Sequence, residues 1–262
     1  MNVAVCVKQI PDPNEPGRLA ADHTLARDGK LIMDEADSYG VEMALRLVEA
    51  AGEGEVTLVS MAPRGEIAGL RTALAMGAAK AILVSDEALS GAGALDTAKV
   101  LAAALGRTSF DLVLAATESS DGYTGTVPEQ LAALLELPSV TFAKSVEVTM
   151  ADRGATVTVQ RQTESGYDIV ECPLPAVVSV TAGVVEPRYP SFKGIMGAKS
   201  KSIDVVTVRD LGIDATTVGW AGAGQEIVAV VPSQERAAGE VVVDQGDAHL
   251  RIVDYLEQLN VI

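Results

Sequence analysis

Histidine is nearly absent from this chain. Only His23 and His249 occur, so chemistry that needs an imidazole has little to work with. A zinc site needs about four His, Cys, Asp or Glu ligands converging at fixed spacing, and no such spacing is present. Cys6 and Cys172 could each pair with a histidine on paper. Both lie inside apolar, strand-like runs, where a packed thiol is the ordinary state. No G-x-S-x-G elbow, no Walker A loop and no G-x-G-x-x-G after the first strand occurs. The acidic residues are scattered and read as solvated surface. These residues make no catalytic constellation, which directs attention to binding.

Two loops have the right chemistry for binding. The first, "ATESSDGYTGTV", comprises Ala116, Thr117, Glu118, Ser119, Ser120, Asp121, Gly122, Tyr123, Thr124, Gly125, Thr126 and Val127. Small hydroxyl residues and two glycines precede a helix start there. Backbone amides in such a turn, with the helix N-terminus, can hold a phosphate without a lysine. The same residues also suit a plain capping turn. The second loop, residues 185–203, carries Tyr189, Phe192, Ile195 and Met196 among prolines and glycines. Arg188, Lys193, Lys199 and Lys201 make it the densest basic stretch of the chain. Either the apolar residues tuck onto the core, or they form an exposed anchor with a basic rim.

The elements that position these loops follow from periodicity. Residues 2–10 read as a buried strand. A helix follows, with Tyr39, Met43 and Leu47 at four-residue spacing and Gly52 as its stop. Residues 55–63 are a second strand, then comes a helix stopped by Gly77. "KAILVSD" is a third strand and "LDTAKVLAAALG" a helix. Residues 110–117 are a fourth strand, "TVPEQLAALLELP" a helix and "SVTFA" a fifth strand. This alternation predicts an α/β, doubly wound, mostly parallel Rossmann-like sheet. Ligands bind such sheets beyond the carboxyl ends of the strands. The ends "KQIPDP" and "VSMAP" are therefore of interest, the latter only as pocket lining. Near-alternation over 145–172, around the turn signals "DRG" and "ESG", predicts antiparallel edge strands. Residues 175–183 are a further buried strand, and 185–203 a loop with a short helix near its end. We expect a domain over 1–212. Residues 213–262 read as an extended arm closing in an amphipathic helix, with Leu250, Val253, Leu256 and Leu259 roughly on one face.

Composition excludes several classes. With 36 acidic against 20 basic residues the net charge is −16, which opposes nucleic-acid binding. A 48% hydrophobic content can build a core and argues against disorder. No uncharged run approaches the roughly 18–20 residues of a membrane span. Lys8 interrupts the N-terminal run, which does not read as a signal peptide. Two cysteines make no disulfide framework. A cytoplasmic location is expected.

Longer motifs add a resemblance. "VQRQTESGYDIVECPLPAVVSV" over 159–180, followed by "EPRYPSFKGIMGAKSKSI", resembles the beta subunit of electron transfer flavoproteins. Arg161, Glu164, Gly166 and the "PAVV" of 175–178 fit the pattern, whereas Ser165, Asp168 and Val185 depart from it. "VAVCVKQIPD" and "RTALAMGA" support it, and the similarity covers roughly 1–214.

The resemblance implies an alpha–beta heterodimer that carries electrons and is not itself an enzyme. Donors are dehydrogenases, often acting on acyl-CoA; acceptors include a membrane-associated quinone oxidoreductase. FAD would sit mainly in the alpha subunit, and the C-terminal arm and helix would dock on that subunit. This chain would hold a structural AMP at Cys6, Asp34, Glu35, Ala36, Asp37, Met61 and the loop 116–127. Asp34-Glu35 stands where relatives often have Asn-Pro, and "TESSDGY" is poorer in Asp and Gln than relatives' loops. The loop after "EPR" would dock the donor through Arg188, Tyr189, Phe192, Ile195 and Met196, with Phe192 as anchor. One alternative is a bifurcating type with a second FAD in place of AMP. The other, a nucleotide hydrolase, would need a glycine-rich phosphate loop where this chain has "KQIPDP".

Overall fold

The computed structural model describes residues 1–151, 154–233, 239 and 241–262. Asp152 and Arg153 of the expected "DRG" turn, with 234–238 and 240 of the arm, lie outside the described residues.

The chain opens with β1 (Val3–Cys6), β2 (Gln9–Pro11) and β3 (Leu31–Met33), then α1 (Glu35–Ala51). The single strand expected over 2–10 is thus broken in two. The break has a local cause: the Lys8 amide donates to the Asp37 carboxylate at 2.6 Å, and the Lys8 carbonyl accepts from the Asp34 amide at 3.0 Å. Those bonds take Lys8 out of the sheet, and β2 pairs antiparallel with β3 instead. Helix α1 ends at Gly52 with φ of 76°, a left-handed position that glycine adopts without strain.

Next come β4 (Val56–Ala62), α2 (Ala68–Met76), β5 (Lys80–Ser85), α3 (Ala94–Leu105), β6 (Leu112–Ala116) and α4 (Val127–Leu134). They are followed by β7 (Ser139–Ala151), β8 (Gly154–Thr163), β9 (Gly166–Pro173), β10 (Ala176–Val180), α5 (Phe192–Ala198) and β11 (Ile203–Val206). The large sheet runs β11-β5-β4-β1-β6-β10-β7-β8-β9. Pairing is parallel from β11 through β7 and antiparallel over β7, β8 and β9. This is the doubly wound, mostly parallel architecture with antiparallel edge strands. In β7 the segments expected as separate strands are continuous, bent at Phe142 with φ of 56° and a register shift between Ala143 and Ser145. Such a bulge lets one strand serve a parallel neighbour first and an antiparallel one afterwards.

Two apolar clusters cover the sheet faces. Val3 and Val5 pack with α1 and α2 residues such as Val41, Leu70 and Leu74. Ala4 and Cys6, pointing the other way, pack with Val100, Leu101 and Leu131 of α3 and α4. Strands buried on both faces explain the unbroken apolar runs of the sequence.

By contact the chain forms two compact units, Met1–Ile227 and Val228–Ile262. Residues 213–227, which opened the expected arm, lie in the first. Val218 is fully buried there, and the Trp220 amide donates to the Ser90 carbonyl at 2.8 Å in the short helix α6 (Gly219–Gly222). The second unit ends in α7 (Ala248–Gln258), where Leu250, Val253 and Tyr255 are exposed.

Candidate functional site

Strand order reverses at β1, whose neighbours are β4 on one side and β6 on the other. A crevice opens at such a switch point beyond the carboxyl ends of the strands. Most of the residues singled out from the sequence converge there.

Asp34 caps α1, its Oδ1 accepting from the Ala36 amide at 3.1 Å. The same carboxylate accepts from the Ser120 hydroxyl at 2.9 Å and the Ser120 amide at 2.8 Å. Asp34 is fully buried, so its role is to tie the loop after β6 to the start of α1. Asp37, one turn on, is buried against the Lys8 amide. Burial pushes its carboxyl well above the usual range, against the pull of that amide. Glu35 is exposed, while Ala36 lines an open cleft of about 810 Å³ beside the crevice. Thr117, Glu118, Ser120 and Tyr123 border that cleft too, facing Phe142, Arg161 and Glu164. Arg161 stacks 5.9 Å from the Phe142 ring centre and lies 3.7 Å from Asp168.

Cys6 ends β1 in the second apolar cluster, with Met61 and Val127 packed against it. Burial, with the Asp37 charge adding, pushes its thiol up to about 12. It stays protonated and unreactive at neutral pH. Ala116 ends β6. The Thr117 amide and hydroxyl both donate to the Val180 carbonyl, at 3.1 and 3.2 Å. Beyond Ser119 the loop turns through Tyr123 (φ 49°) and Gly125 (φ 64°) into α4. The Tyr123 amide donates back to the Ser119 carbonyl at 2.9 Å. Among the described residues, the amides of Thr124, Gly125, Thr126 and Val127 have no acceptor.

Two cations complete the crevice that sequence reasoning did not place there. The Lys8 ammonium donates to the Ser119 hydroxyl at 3.0 Å and to the Asp121 carboxylate at 2.5 Å. Arg27 pairs with the other Asp121 oxygen and donates to the Gln9 carbonyl at 3.1 Å. Burial alone would raise Asp121, but the Lys8 and Arg27 charges outweigh it and hold the carboxyl below its ordinary value. Lys8 sat at a marked strand end, so its position was a usable signal. Arg27 lies in a stretch without periodicity and gave none.

The loop over 185–203 is a braced pedestal. Arg188 lies across α1: its Nε donates to Glu42 at 2.7 Å and its Nη1 to Glu49 at 2.6 Å. Glu42 is buried, yet hydrogen bonds from Arg188 and Arg46 overcome that burial and lower its carboxyl. At the far end Arg71 donates to the carbonyls of Ala198 and Lys201, at 2.5 and 2.8 Å. Lys201 in turn caps α2 through the carbonyls of Leu74 and Ala78, at 2.9 and 2.6 Å. Gly194 lets α5 approach α2 closely, since a Cβ there would stand 2.4 Å from the Ala75 carbonyl oxygen. From this base Tyr189 and Phe192 project with 92% and 81% of their surface exposed, and Ile195 and Met196 are about half exposed. Arg188 itself is spent on α1.

Residues 22–211 match the family described as electron transfer flavoprotein domain. The chain belongs to the electron transfer flavoprotein family. It is 38% identical to the electron transfer flavoprotein subunit beta of Mycobacterium bovis, over all of this chain and 99% of that one. The subunit beta of Thermoanaerobacterium thermosaccharolyticum is 36% identical, over 99% of this chain and 98% of its own. The protein named caffeyl-CoA reductase-Etf complex subunit CarD, from Acetobacterium woodii, is 32% identical over 92% of each. The resemblance to beta subunits therefore holds over the full length, and with it an electron-transfer role. Among the described residues, no helix is long and apolar enough to cross a membrane.

Proposed function

We propose that this chain is the nucleotide-holding, partner-docking subunit of a heterodimeric electron carrier, without catalytic turnover of its own. It binds AMP as a structural ligand in the β1–β6 crevice. FAD is held mainly by the alpha subunit and supplies the electron-accepting and electron-donating group. The chain docks a donor dehydrogenase, of the kind that acts on acyl-CoA, through the exposed face of α5. Electrons then pass to a quinone oxidoreductase or another acceptor. The helix α7 and the segment before it bind the alpha subunit, and the assembly works in the cytoplasm. Free, buried Cys6 and Cys172 suit a reducing compartment.

The observation that carries this reading is the run of partnerless amides at Thr124–Val127, opening α4 at the switch point of the sheet. Such amides favour an anion. Cys6, Met61 and Val127 offer an apolar wall suited to a base. Asp34, already committed to Ser120 and Ala36, shapes the loop without needing to touch the ligand.

Purifying the chain with its alpha subunit and releasing every bound nucleotide tests this. One AMP and one FAD per heterodimer are expected. The relative named as part of a caffeyl-CoA reductase complex favours one second reading, in which FAD replaces AMP here. Two flavins and no AMP would establish that alternative. Release of no nucleotide beyond the alpha subunit's FAD would end both.

A further inference from the structure

Lys8, Arg27 and Asp121 come from three separate parts of the chain and meet at one point. In an acidic protein that convergence is notable, because it brings two cations to the rim of the β1–β6 crevice. Asp121 lies beneath them with only 6% of its side chain exposed, whereas the Lys8 and Arg27 side chains are 41% and 33% exposed. The carboxylate fixes where the cations stand and leaves their outer sides open. Donors remain unused. Lys8 spends two of its three N–H groups, on Ser119 and Asp121. Arg27 spends one on Gln9 and one on Asp121, out of five. The Lys8 ammonium lies 3.6 Å from where a Cβ on Gly122 would be, so it overhangs the turn that leads into the partnerless amides.

We propose that Lys8 and Arg27 receive the terminal phosphate of the bound nucleotide, with Asp121 as the positioning residue that holds both cations in place. This rests on the reading that the crevice binds AMP. A terminal phosphate carries roughly −1.5 to −2 charges at neutral pH, enough to engage both cations, and guanidinium and ammonium groups give it charge-assisted bonds that amides alone do not. The two cations also offset the negative field of a chain with net charge −16. The chemical class the crevice selects is thus a nucleoside with a free terminal phosphate. An unphosphorylated nucleoside forgoes these contacts.

The test uses the heterodimer, stripped of crevice nucleotide and titrated calorimetrically with AMP and with adenosine. Wild type should bind AMP far more tightly than adenosine. Lys8→Met and Arg27→Met should each weaken AMP roughly ten- to hundredfold and leave adenosine unchanged. Either change leaves Asp121 buried beside a single cation. Arg27→Met is therefore also made with Asp121→Asn, which removes that charge. AMP affinity that stays low in the double variant, with adenosine binding unchanged, supports direct phosphate contact. Recovery of AMP binding to the wild-type value means that the single variant lost affinity through the unpaired Asp121 charge, and an equal loss of adenosine binding means that the ion pair only braces the loop; either overturns the proposal. Unchanged AMP affinity in both single variants overturns it as well. Failure of wild type to bind AMP at all would instead remove the underlying reading, and this proposal with it.

Discussion

Phe192 presents an aromatic ring to solvent from the first turn of α5, with 81% of its surface exposed. Rigid aromatics that fill a partner's pocket carry much of the energy of an interface. Phe192→Ala should slow electron uptake from the donor by about tenfold or more at limiting donor. Heterodimer assembly and cofactor content should stay unchanged, and folding stability should hold within about 0.5 kcal/mol, because the side chain buries little. Stopped-flow reduction kinetics read the first and denaturant unfolding the second; wild-type kinetics would remove Phe192 as anchor. Asp37 makes a prediction of the opposite kind. Its carboxyl is raised by burial, so the fold favours the neutral form. Ionisation therefore costs stability as pH climbs above the unfolded value of 3.8. Asp37→Asn keeps an oxygen for the Lys8 amide and should raise the urea midpoint near neutrality, with the gain shrinking as pH falls toward 3.8. At this scale the sequence was readable where residues are neighbours in the chain, as in "SSDGYTG". The Lys8–Arg27–Asp121 cluster was not, because it depends on long-range closure that no local spacing records.

The proposed docking helix, α5, depends on what holds its ends. Removing Arg188 leaves Glu42 buried with Arg46 as its remaining cation. Arg188→Ala should cost about 1–3 kcal/mol in urea unfolding, discounted because the guanidinium is itself one-third exposed. The Glu42 pair also sets an acid limit. Its folded carboxyl lies below the ordinary 4.5, so its contribution is complete above that pH and drains away as pH falls through the lower, folded value. In Arg188→Ala that part of the acid sensitivity should be blunted, which unfolding curves across the acid range would reveal. Gly194→Ala should cost about 1–3 kcal/mol, since the added methyl meets the Ala75 carbonyl and must lift α5 from α2. Donor docking should weaken with it. The helices were legible because their stops, Gly52 and Gly77, carry positive φ that few other residues accept. The antiparallel β2–β3 pair and β11 were not, being only three to four residues long. Strands that short carry no period to read.

For the whole molecule, strand–helix alternation predicted a parallel, doubly wound sheet but no strand order, and β10 shows why. That strand is late in the chain yet sits between β6 and β7, and only tertiary pairing decides such an insertion. The first unit contains both apolar clusters and therefore its own core. In α7, by contrast, no residue is buried. If α7 meets the alpha subunit, Val253→Asp should reduce co-purification of the two chains by about tenfold; full retention would detach α7 from assembly. Finally, α1 has duties at both ends. Its cap and first turn hold the crevice loop through Asp34 and meet Lys8 through Asp37, while Glu42 and Glu49 grip Arg188. Asp37 and Glu49 are about 18 Å apart along the axis at 1.5 Å per residue. The crevice loop and the pedestal are thus both fastened to one rod, so the span between them is set by the length of that helix and not by the loops.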